Sequence, residues 1–239
     1  MIKKTINQND KYVKILKNFV EPDFIFSNNP INRIKKTEKN RENVNQTKNS
    51  LLDNLKKKIN SIENCNLKNN SKNLILGNGN VDSPLMLVGE APGKMEDDTG
   101  LLFQGEVGDL LNKMLLAINI KREDIYLTYS VNFRPPEDRK PTAQEVKRYS
   151  TFLKEHISII NPEILFILGS TAMEAITGTN YKVSNERGQW KEIILKNKTF
   201  PFIISFNPSY LIRFPENKKF SWDDLKKLKK KIQELNIKI

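Results

Sequence analysis

One cysteine, Cys65, and one histidine, His156, stand in 239 residues. A single thiol can close no internal disulfide and build no multi-cysteine metal site. A chain without a disulfide framework fits a reducing, cytoplasmic setting. No apolar run approaches 18 residues, so no membrane-spanning helix is expected. The first residues, MIKKTINQNDKYVK, lack the apolar centre of a signal peptide. Apolar residues make up 38% and charged residues 28%, which suits a soluble chain that is not rich in core.

Charge of one sign is what the chain has in excess, and only at its ends. Residues 1–60 hold 14 Lys/Arg against 6 Asp/Glu, a net of +8. Residues 61–217 hold 18 against 19, and residues 218–239 hold 8 against 3. A neutral middle between basic ends suits a protein that meets a polyanion. The abundance of Lys, Asn and Ile is equally the mark of an AT-rich genome. Residues 1–48 read as a basic, Asn/Lys-rich extension with one short amphipathic helix before Pro22, and residues 49–239 as the folded domain.

The domain is organised around Leu85–Gly108. An apolar run, Leu85–Val88, stops at Gly89-Glu90-Ala91-Pro92-Gly93. Acids follow at Glu96, Asp97 and Asp98, and Phe103 sits between Gly100 and Gly105. Helical spacing resumes over about residues 106–118. Strands are expected at Leu74–Leu76, with Gly77–Asn80 as its turn, and at Leu85–Val88, Ile125–Val131, Ile164–Leu168 and Phe202–Phe206. Thr142 and Glu145 have capping-box spacing and open a long helix that Asn161-Pro162 ends. Strands alternating with helices predict a three-layer α/β/α sandwich around a four-stranded parallel sheet.

Four strand ends then converge on one sheet edge, where open α/β sheets bind ligands. They bring the carboxylate of Glu90, the amide of Asn207, the rings of Phe103 and Tyr129, and helix starts at Gly105 and Ser170. Helix N-termini are anion sites, and an aromatic ring beside a phosphate-binding edge suits a flipped nucleobase. His156 reads as a structural residue on a helix face, Glu96–Asp98 as a solvated loop with helix-capping acids, and Lys226–Lys231 as a solvated helix face.

The blocks Gly89-Glu90-Ala91-Pro92-Gly93-x-x-Glu96-Asp97-x-x-Gly100-x-x-Phe103-x-Gly105-x-x-Gly108, Arg134-Pro135-Pro136, Leu168-Gly169-Ser170-x-Ala172, Arg187-Gly188-x-Trp190 and Asn207-Pro208-Ser209-Tyr210-Leu211-Ile212-Arg213 occur in one order. In that order they resemble the family 4 (iron–sulfur type) uracil-DNA glycosylases over about residues 51–230. The resemblance implies a monomer that hydrolyses the N-glycosidic bond of uracil in single- or double-stranded DNA. It implies that Glu90 positions a water or balances a cationic sugar, and that Asn207 serves the uracil O2. Gly89, Ala91, Gly93, Phe103 and Tyr129 would form the uracil pocket. Gly105, Ser170, Ser209, Leu211 and Arg213 would meet DNA, with Leu211 or Ile212 as a wedge.

Three departures from the family pattern matter. Tyr129 stands where the family reads uracil with Asn, and a phenol cannot reproduce an amide's paired hydrogen bonds. It is as readily a packed strand residue that blocks the pocket. Asn207 stands where the family has His. Ile62, Cys65, Phe133 and Tyr149 stand at the four cluster cysteines, so no 4Fe–4S cofactor is expected and an apolar plug takes its place. The alternatives are therefore a weakened or silent DNA- or base-binding protein on this scaffold, or a glycosylase for another deaminated base.

Overall fold

The computed structural model describes residues 47–239. The helix expected before Pro22 and nearly all of the basic extension lie outside them. The described residues form one compact unit. Its first helix, α1 (Lys48–Asn60), starts where the Thr47 hydroxyl accepts a hydrogen bond from the Ser50 amide at 3.3 Å, and it buries Leu52, Leu55 and Ile59. A short α2 (Asn66–Asn70) follows.

The sheet has six strands in the order β1-β3-β2-β4-β6-β5, two more than expected. Its four central strands, β2 (Leu85–Gly89), β3 (Tyr126–Tyr129), β4 (Ile164–Leu168) and β6 (Lys198–Ser205), are parallel; Val88 faces Thr128 in β3 and Ile167 in β4. All five residues of β2 and of β4 are buried, as strands covered on both faces must be. The added strands, β1 (Gly77–Gly79) and β5 (Trp190–Leu195), lie antiparallel at the two edges. The turn expected at Gly77–Asn80 is thus itself largely strand. Gly77 fits beside β3 because a Cβ there would fall 2.5 Å from the Tyr126 hydroxyl. Leu74–Leu76 instead leads into it, with the Ile75 amide and carbonyl both bonded to Asn132. β5 and β6 form a hairpin through Lys196 and Asn197, both with positive φ, as a two-residue hairpin turn requires.

Helices cover both faces. α4 (Gly105–Leu116) and α9 (Lys218–Glu234) bury Leu111, Leu115, Leu225 and Leu228 against Leu87, Phe166 and Ile203. α5 (Ala143–Ile160) packs with α1 and with α6 (Ser170–Thr177) on the opposite face, over Met86, Val88 and Ile167. Alternate residues of each strand thus feed two separate cores, which makes the three layers. The capping box of α5 forms as expected: the Thr142 amide donates to Glu145 Oε2 at 2.7 Å and the Glu145 amide to Thr142 Oγ1 at 3.3 Å. His156 is buried against Tyr126 and Thr128, its imidazole pushed by burial down to about 3. Among the described residues no helix is long and apolar enough to cross a membrane.

Candidate active site

The carboxyl ends of the four parallel strands open into a cleft of about 780 Å³. Its walls include Glu90, Ala91, Gly93, Phe103, Tyr129 and Asn207. β2 delivers Glu90. The Ser130 amide and hydroxyl donate to the Gly89 and Glu90 carbonyls at 2.8 and 2.6 Å, and the Val131 amide donates to Glu90 O at 3.1 Å. These bonds fix the Glu90 backbone to the end of β3.

Three elements hold the Glu90 side chain. Asn207 Nδ2, after β6, donates to Oε2 at 2.7 Å. At the start of α6 the Thr171 amide donates to Oε1 at 3.1 Å and the Ser170 hydroxyl at 3.4 Å. A carboxylate at a helix N-terminus is favoured by the unpaired amides there. Gly169 makes the approach possible: its φ is +93°, and a Cβ would lie 2.6 Å from Glu90 Cδ. Asn207 works in two directions, because its Oδ1 also accepts the Ser209 amide at 3.0 Å and caps α8 (Pro208–Arg213). One Nδ2 hydrogen remains for a ligand.

Phe103 and Tyr129 meet across Gly89, their ring centroids 4.7 Å apart. A Cβ on Gly89 would lie 2.6 Å from Phe103 Cζ and 2.9 Å from Tyr129 Cδ1. Phe103 holds a left-handed φ of 47°, a strained backbone that surrounding contacts must fix. They do so from both sides. The Phe103 amide donates to the Tyr129 hydroxyl at 2.8 Å, and Arg122 Nη1 donates to the Phe103 carbonyl at 3.1 Å.

Residues 76–229 match the family described as the Uracil DNA glycosylase superfamily. A Type-4 uracil-DNA glycosylase of Thermotoga maritima is 34% identical over 191 residues, which is 79% of this chain and 98% of that protein. The protein of the same name from Archaeoglobus fulgidus is 32% identical over 181 residues, 74% of this chain and 91% of its own. That from Pyrobaculum aerophilum is 30% identical over 168 residues, 69% and 86%. The chain belongs to the uracil-DNA glycosylase superfamily.

Within this superfamily member the expected site residues fall into two sets. Glu90, Asn207, Phe103, Ala91, Gly93, Tyr129, Ser170, Ser209 and Arg213 line the cleft, whereas Gly89 is the buried end of β2 beneath the Phe103 and Tyr129 rings. Gly105 begins α4 with a φ of +59°. Leu211 does not face outward. It is 1% exposed and packs in the core with Leu225 and Leu228, so it offers no wedge in this structure; Ile212 is half-buried and Arg213 exposed. Tyr129 lines the cleft with its ring, but its hydroxyl is bound to Phe103. Burial and the nearby Glu96 carboxylate push that phenol well above its ordinary value. Glu96 and Asp97 are not solvated. Glu96 accepts the Gly93 and Gln104 amides at 3.0 and 2.8 Å, capping α3 (Lys94–Thr99), and Asp97 accepts the Lys72 and Asn73 amides. Thr171 and Arg122 carry no motif weight, and only their contacts reveal them.

The superfamily's iron–sulfur members raise the question of a cluster. Its expected ligand positions come together on the α5 face. Cys65 Sγ lies 3.2 Å from the Tyr149 hydroxyl, the Phe133 and Tyr149 rings meet edge-on at 6.3 Å, and Ile62 packs on the same core. The donor set does not fit a cluster. One thiol cannot supply four thiolates, and Tyr149 is fully buried where ligand and metal would need room. No group of three or more His, Cys, Asp or Glu among the described residues is placed to hold a metal ion. Burial pushes the Cys65 thiol up, but hydrogen bonds from Tyr149 and from the Lys68 and Leu67 backbone outweigh it and leave it below its ordinary value.

Proposed function

We propose that this chain hydrolyses the N-glycosidic bond of uracil in DNA and leaves an abasic site, working as a cytoplasmic monomer without a cluster. One observation carries the reading. Glu90 and Asn207, from different strand ends, are joined at 2.7 Å on the floor of a cleft walled by Phe103. The extruded base enters beside the Phe103 ring. As the C1′–N1 bond breaks, its electron pair leaves with uracil and C1′ becomes cationic. The Glu90 carboxylate sits beside that cation and orients the water. The water oxygen bonds C1′ and its proton passes to the carboxylate. The free Nδ2 hydrogen of Asn207 donates to the uracil O2 as negative charge develops there. Ser170 orients Glu90, while Gly105, Ser209 and Arg213 face the DNA backbone. Tyr129 holds Phe103 in place and gives the base a flat wall, in place of an amide that pairs with it.

The engaged Tyr129 hydroxyl is the observation that favours a second reading, a silent DNA binder or a glycosylase for another deaminated base. Single-turnover reactions with the full chain in excess over uracil, hypoxanthine and xanthine oligonucleotides separate these readings. The expected outcome is abasic product from uracil. DNA binding without any abasic product overturns the enzyme reading, and release of another base with uracil spared overturns the substrate. Tyr129→Asn combined with Asn207→His is expected to raise the uracil rate, because an amide and a stronger donor are added at the base.

A further inference from the structure

From the cleft, a column of rings runs outward to the surface. Phe206, at the end of β6, stacks on Tyr210 with centroids 4.9 Å apart and planes 24° apart. Tyr210 meets Phe214 at 4.8 Å and 38°. The three are four residues apart because α8 and its cap carry the last two one turn along the same face. Phe206 and Tyr210 line the cleft.

The two ends of the column differ. The inner end is closed by the Arg187 guanidinium, 5.8 Å from the Phe206 centroid. Asp224, fully buried, holds that guanidinium in place through Nε at 3.0 Å and Nη2 at 2.6 Å. The outer end is open: Phe214 is 45% exposed. Next to it in sequence, Arg213, Lys218 and Lys219 are exposed, with Glu216 as the one acid between residues 213 and 219. An exposed ring backed by stacked rings and flanked by cations is a platform for an unpaired base and its phosphate.

We propose that Phe214 stacks an unpaired base next to the extruded nucleotide, so that the protein prefers single-stranded over duplex DNA. This rests on the glycosylase reading for the site that the column adjoins. In duplex DNA the neighbouring base is already paired and stacked, and the platform has nothing to take. A single strand offers a free face at no unpairing cost. Phe214 also supplies the exposed apolar group that the buried Leu211 does not. The open ring face sets strand preference; Arg213, Lys218 and Lys219 add attraction that does not depend on strandedness.

The test uses the full chain and a uracil-free thymidine oligonucleotide, single-stranded and as a duplex, followed by fluorescence anisotropy across a salt series. Phe214→Ala is expected to weaken single-strand binding about tenfold, leave duplex binding within twofold, and leave the salt slope unchanged. Phe214→Trp keeps the single-strand affinity. Phe214→Leu, which keeps apolar area without a ring, behaves like Phe214→Ala. Arg213→Ala lowers both affinities and the salt slope. The proposal is overturned if Phe214→Ala binds single strands as the parent does, if its loss comes with a changed salt slope, or if Phe214→Leu keeps full affinity. Because binding is read on DNA without uracil, the two claims fail separately. A chain that releases no base but shows the Phe214 effect defeats the glycosylase reading alone. A chain that releases uracil without the Phe214 effect defeats this proposal alone.

Discussion

The two places where family positions gather show opposite solutions to a changed side chain. At the carboxyl edge of the sheet, Glu90, Asn207, Ser170 and Thr171 keep a polar lattice in which every bond to the carboxylate comes from another element. On the α5 face, Ile62, Cys65, Phe133 and Tyr149 fill a region with rings and one thiol. The first place faces a cleft, where groups can be hydrogen-bonded and still meet a ligand. The second is closed, where any polar ligand left without its metal would be a buried, unpaired group. Replacing such ligands by packed apolar side chains removes that penalty. Chemistry and stability are therefore separable in this molecule.

That separation can be broken by substitution. Glu90→Gln is expected to lower the single-turnover rate of uracil release about 10²–10⁴-fold with an unchanged urea midpoint; a large loss of stability instead would mean that the carboxylate is a packing group. Tyr149→Ala should do the reverse. It removes a fully buried ring and costs about 3–5 kcal/mol of unfolding free energy, while the folded fraction cleaves at the parental rate.

Acid acts on stability through His156. Folded His156 remains neutral down to about 3, whereas unfolded histidine protonates near 6.5. Between those values the unfolded state binds more protons, so stability falls as pH falls through that window. From pH 7 to 5 the contribution is about 2 kcal/mol. His156→Gln, compared with the parent by denaturation at both pH values, should remove that slope. The smallest effects belong to the filled cluster region. Cys65→Ser is expected to cost about 1 kcal/mol, and an iron chelator to leave both melting temperature and uracil release unchanged. Chelator-sensitive melting would show that metal, not packing, holds that face.

Much of the fold was readable from local pattern. Apolar runs bounded by turn residues marked the four parallel strands, and the Thr142–Glu145 box marked the start of α5. The edge strands were not readable. β1 is Gly77-Asn78-Gly79, a turn-like sequence that pairs because its glycines leave room for Tyr126. β5 alternates half-buried and exposed residues, Ile194 standing 72% exposed, which dilutes its signal. The clue that was missed is Lys196-Asn197, a two-residue hairpin turn.

At the site, spacing by itself placed Glu90 and Asn207 on one edge, because a strand end fixes where the next residue emerges. It also determined that a four-thiolate cluster has no ligand set here, since thiols are counted in sequence. Only the tertiary structure decided what those residues do to one another. Glu90 meets Asn207 across 117 residues and Thr171 across 81, and the Tyr129 hydroxyl meets the Phe103 amide across 26. Leu211 turned inward and Phe214 outward on the same short helix and its cap. Side-chain periodicity gives a face; which face is buried depends on α4 packed against α8, and no local stretch of sequence around α8 contains it.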